Sequence, residues 1–161
     1  MRIYWTALFV LLAFFVFAQT PTGNIEKDTA LASQYIKEGK TLLIEDNKNE
    51  EILDLFKKSV DLYEVYPFSR ELMESKVLLS VQFYNERIAD TAITTAKEII
   101  SLVEKEAPEL VTDTFLLDAY KVLAELYISE PDKCIPYRFK VLDCTKKGSD
   151  KYFDNVKSLI F

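Results

Sequence analysis

Histidine is absent from this 161-residue chain, which removes histidine-dependent triads, imidazole shuttles and histidine-bearing metal sites in one step. Only three glycines occur, and none of them builds the glycine-rich loop that cradles a phosphate. There is no Cys-x-x-Cys pair and no Asn-x-Ser/Thr acceptor. Basic residues form no block: 20 lysines and arginines stand against 26 aspartates and glutamates, a net charge of −6. An acidic surface repels phosphate backbones, so no nucleic-acid partner is expected. Neither a cofactor nor a metal site is expected.

What remains for catalysis is paired carboxylates, as in glycoside hydrolysis. The candidates Glu50 with Glu51 and Glu104 with Glu106 fall at helix ends, where acidic side chains are normally solvated. The single tryptophan, Trp5, lies near the start of the chain and leaves little indole for stacking on sugars. An enzyme is therefore not expected. Cys134 and Cys144 read as small apolar packing residues, not nucleophiles.

The first residues have the pattern of a targeting segment. Arg2 gives a short positive start, Ile3 to Phe17 is apolar except for Thr6, and Val16-Phe17-Ala18 supplies a cleavage signal. As a helix Ile3 to Phe17 spans only about 22 Å, short of a hydrocarbon core of roughly 30 Å. The expectation is a signal peptide over residues 1–18, cut after Ala18, and a secreted or periplasmic product. Membrane contact is expected only if that segment is retained. Subtracting 18 residues from 161 leaves 143, the size of one domain. Residues 19–27, with Pro21 and Gly23, read as a flexible mature terminus.

From Asp28 onward, through residue 161, apolar residues recur at helical spacing. The first helix is predicted from near Asp28 to Glu45 with Leu31, Tyr35, Leu42 and Leu43 inward, and Gly39 marks a close helix crossing. Asn49 caps a second helix carrying Ile52, Phe56, Val60 and Tyr63, which Pro67 ends. Ser69 caps a third, with Met73, Val77, Ser80, Phe83 and Tyr84. Asp90 caps a fourth, with Ala92, Ala96 and Val103 inward and Pro108 at its end. A fifth, capped by Thr112 or Asp113, carries Leu116, Ala119, Tyr120, Leu123 and Tyr127. A sixth begins between Lys133 and Pro136, carries Phe139 and Leu142, and exits at Lys146-Lys147-Gly148. If both cysteines sit on it, their Cα atoms lie about 15 Å apart, too far for a disulfide. A last short helix beyond Asp150 would cap the stack.

Leu79-Ser80-x-x-Phe83 followed by Ala92 resembles the tetratricopeptide repeat, in which a large residue, a small one, an aromatic and a later small one interlock two helices. Tyr120-x-x-Leu123-Ala124-x-x-Tyr127 with Cys134 repeats the pattern, and Gly39, Leu43 and Ile52 match it more poorly. The likeness covers about residues 30 to 147, with spacings of about 40 residues against the usual 34 or so. It implies an all-α, right-handed stack of three antiparallel helix pairs plus a C-terminal capping helix. The alternative is an ordinary antiparallel bundle, in which the first and fifth helices pack directly.

The resemblance also implies a concave groove lined by the first helix of each pair, presenting Tyr84, Asn85, Lys121, Glu125 and Ile128 to a peptide or protein partner. The expected function is that of an exported adaptor or scaffold. A structural subunit that associates with its own copies or with a membrane assembly is the alternative. Cleavage after Ala18 removes Trp5, so the exported protein should lack tryptophan emission when excited near 295 nm; retained emission would sink the cleavage site.

Overall fold

The computed structural model describes residues 21–45, 49–108, 114–145, 154, 155 and 157. The targeting segment, the Thr112 or Asp113 cap, the Lys146-Lys147-Gly148 exit and most of the expected capping helix lie outside the described residues. Six helices make up the rest: α1 (Ile25–Glu45), α2 (Asn49–Glu64), α3 (Arg70–Asn85), α4 (Ala89–Glu106), α5 (Thr114–Leu126) and α6 (Pro131–Asp143). Among the described residues there is no strand.

Each helix packs on the next in the chain, and α3 also packs on α5 across α4. This all-α arrangement, in sequence order, is compatible with a helical repeat. α1 and α5, whose contact would close a bundle, do not form one of the packed helix pairs. One continuous core runs through the stack, from Ile36, Ile52 and Phe56 through Met73, Phe83 and Ile99 to Leu116, Tyr120 and Leu123.

Local signals decide where several helices begin. Ser69 caps α3 as predicted, its Oγ accepting a bond from the Leu72 amide at 3.1 Å. The start of α1 differs from the prediction: the helix begins at Ile25, not near Asp28, because Asn24 Oδ1 accepts from the Lys27 amide at 3.1 Å. Asp90 is not the cap of α4. The chain leaves α3 through a tight turn in which Ile88 N–H donates to Phe83 C=O at 2.9 Å and Arg87 N–H to Tyr84 C=O at 3.0 Å. That closure holds Arg87 at a φ of 61°. Ile88 then caps α4 with no side-chain bond, and Asp90 falls inside the first turn. Asn49, expected as a cap, is already the first residue of α2.

The sixth helix starts earlier than predicted because Pro131 occupies its first position, where a missing N–H costs nothing. Pro136 is then carried inside the helix, at an exposed site. Phe139, expected inward, is 55% exposed. The face of α6 is set by Cys134; Phe139 lies about 140° round the helix from it, while Val141 returns to within about 20°. Cys134 and Val141 are the buried pair of the helix, and no disulfide joins Cys134 to Cys144. Leu43 is likewise exposed, and Leu42 packs on the core instead, because the α1–α2 crossing lies a turn earlier.

That crossing is at Gly39. A Cβ placed there would lie 2.5 Å from Phe56 Cε1, and Phe56 is fully buried. The same kind of contact joins the other two pairs with the small residues on both sides: Ser80 Oγ donates to Ala92 C=O at 3.2 Å, and Cys134 Sγ to Ala124 C=O at 3.3 Å. Alanine at position 39 would gain about 1 kcal/mol of helix propensity but overpack the core at a cost of about 1–3 kcal/mol. Gly39→Ala is therefore expected to destabilise in urea titration, and Phe56→Leu in the same chain to offset part of that loss. A more stable Gly39→Ala would mean that the two helices do not approach this closely.

Candidate functional site

Tyr84 and Asn85 are the last two residues of α3, while Lys121 and Glu125 lie on α5 and Ile128 just beyond it. All five side chains are exposed, Tyr84 by 36% and Ile128 by 60%. α3 and α5 pack together; α3 carries its two residues at the C-terminal end, and the other three run from the middle of α5 to just past its end. Lys121 stands 3.6 Å from Asp118 in an open ion pair, a contact that holds it only weakly.

Lys121 and Glu125 do come together, around a small cavity of about 50 Å³ shared with Ala124, Arg138, Val141 and Asn155. Asn155, helical in backbone, donates from Nδ2 to Thr145 Oγ1 at 3.1 Å. Tyr84, Asn85 and Ile128 do not line that cavity. A larger groove, about 530 Å³, lies elsewhere, between α1 and α2, with Gln34, Lys37, Thr41, Leu42 and Leu55 among its walls. The four glutamates considered as catalytic pairs, Glu50, Glu51, Glu104 and Glu106, are all exposed.

One cluster is absent from the sequence reading. Lys97 of α4, Tyr127 after α5, and Lys133, Pro136 and Tyr137 of α6 surround a cleft of about 320 Å³. Tyr127 was expected to be a core aromatic, and it is buried. Its ring nevertheless forms one wall of the cleft. A partial signal exists, since Lys133 and Tyr137 are one turn apart on α6, but Lys97 lies 30 residues from Tyr127.

The most perturbed carboxylate belongs to the fold. Asp28 is almost fully buried and accepts bonds from Tyr66 Oη at 2.5 Å, Thr22 Oγ1 at 2.8 Å, and the amides of Thr22 and Gly23. The Tyr66 hydroxyl, followed by the Thr22 and Gly23 donors, outweighs burial and holds Asp28 below the usual carboxylate value. The same contact pushes Tyr66 up to about 12. Residues 22–24, part of the segment expected to be flexible, are thereby hydrogen-bonded to Asp28, which Tyr66, just past α2, also holds.

Compared with known proteins, the chain matches no family model, no curated protein and no solved structure.

A carboxylate whose native pKa is depressed contributes stability above its unfolded value, near 3.9, and loses it as pH falls through the lower native value. Asp28→Asn puts an amide NH₂ opposite N–H and O–H donors. It should lower the melting temperature at pH 7, with the gap from wild type closing as pH drops below about 4. A gap independent of pH would show that the charge on Asp28 contributes nothing.

Proposed function

We propose that the protein is an exported adaptor of tetratricopeptide type, which holds a peptide or protein partner without turning it over. The observation that carries this is the direct packing of α3 on α5, with the solvent-facing side chains Tyr84 and Asn85 on α3, Lys121 and Glu125 on α5, and Ile128 just beyond α5. In a stack of helix pairs the first helices line one surface, and on this reading those helices are α1, α3 and α5. The ion pair between Lys40 of α1 and Glu74 of α3 extends that surface toward the first pair.

The chemistry of the face suits an extended peptide. Asn85 offers both a donor and an acceptor to main-chain groups, Lys121 attracts a carboxylate, and Tyr84 and Ile128 give apolar area. Export follows from the targeting segment at residues 1–18.

Crosslinking in the native host, followed by identification of the attached protein, is the direct test of the adaptor. Replacing Asn85 and Lys121 together by alanine is expected to weaken capture of that partner about tenfold or more while leaving the thermal melt unchanged, since both side chains are exposed. Unchanged capture would reject this face.

A further inference from the structure

The cleft between α4 and α6 carries more positive than negative charge among the described residues. Lys97 Nζ lies 5.5 Å from the centre of the Tyr127 ring, and Lys133 Nζ lies 5.2 Å from the same ring. Glu130 holds Lys133 above the ordinary lysine value while Lys97 pulls against it, so the two ammonium groups feel each other. Lys133 is paired to Glu130 at 2.6 Å; Lys97 forms no ion pair with any described residue and rests chiefly on Tyr127, with Tyr137 also near. Two positive charges and one negative leave one positive charge unbalanced, in a chain whose net charge is −6.

The walls are apolar. Tyr127 and Tyr137 stack with centroids 6.0 Å apart and planes 12° from parallel, and Pro136 closes one side. The volume, about 320 Å³, is at the small end of ligand sites, which begin at about 300 Å³. The geometry points to a binding site for a carboxylate carried on an apolar body: its single charge balances the one ammonium charge that Glu130 leaves over, and the body lies against the stacked tyrosines and the proline. A doubly charged phosphate would overshoot the charge and meet Glu130. This site is separate from the α3–α5 face and stands whether or not that face binds a partner.

Two sources share this chemistry, a free organic acid and the C-terminus of a peptide. The probes are 3-phenylpropionate, N-acetyl-Gly-Phe with a free carboxylate, the amide of each, and inorganic phosphate. Each is titrated at constant ionic strength while the tyrosine ring signals are followed by NMR. One or both acids should saturate with a Kd near or below about 1 mM, the tighter naming the source. The amides should bind about tenfold or more weakly, and Lys97→Met and Lys133→Met should each weaken the acid to a similar degree. Both lysines are exposed, and unchanged melts would show that these variants fold. Linear shifts with both acids, amides equal to acids, phosphate tighter than carboxylate, or Lys97→Met binding as wild type would each overturn the site.

Discussion

An ammonium group taken out of water must be given anions or it will not stay charged. Lys76 lies in the middle of α3 and is only 4% exposed, and its Nζ donates to Glu64 of α2 and, at 3.0 Å, to Glu98 of α4. Burial pushes its proton affinity down, but the bonds to the two glutamates outweigh it and leave the lysine above its ordinary value. One charge thereby requires that α2 and α4 both present a carboxylate to α3. Apolar faces alone would tolerate other neighbours; a buried cation with two assigned partners narrows the choice of neighbours. Beside it, the buried hydroxyls of Ser59 and Ser75 meet at 2.9 Å and join α2 to α3 again. The contact of α3 with α5, on which the proposed binding face depends, is built onto this fixed centre.

The helical period was plain in the residues themselves. Ile52, Phe56, Val60 and Tyr63 are all buried on α2, and Ala92, Ala96, Ile99 and Val103 on α4. What the sequence left ambiguous were positions where two residues of similar chemistry compete. Asn24 and Asp28 can each cap a helix, and the choice falls to Tyr66, 38 residues further on, which takes Asp28 into the interior. Asp90 looks like a cap until the hydrogen bonds of the preceding turn are known. Phe139 looks like core because it is aromatic, yet the partner chosen by Cys134 turns it outward. The five face residues came from the tetratricopeptide resemblance and not from the apolar period, and all five are exposed. The Lys97, Tyr127 and Lys133 cluster came from neither, since its members meet only through the packing of α4 against α5 and of α5 against α6.

α5 contributes to both surfaces. Lys121 and Glu125 are exposed and line the small cavity with Arg138 and Val141 of α6, while Tyr127, one residue beyond the helix, faces Lys97 and Tyr137. A helix that serves two surfaces has little freedom to shift, and Leu116, Ala119 and Leu123, each with no exposed area, fix it in the core.

The crossing at Gly39 has a further consequence. In the second pair Ser80 meets Ala92, and in the third Ala124 meets Cys134, whereas in the first pair a glycine on α1 meets a phenylalanine on α2. The first crossing takes nothing from one helix and a whole ring from the other. Across the three crossings the two positions fill the gap together, and neither residue alone is kept. Any likeness between the pairs therefore resides in positions taken together in space, and it fades when positions are compared one at a time along the chain.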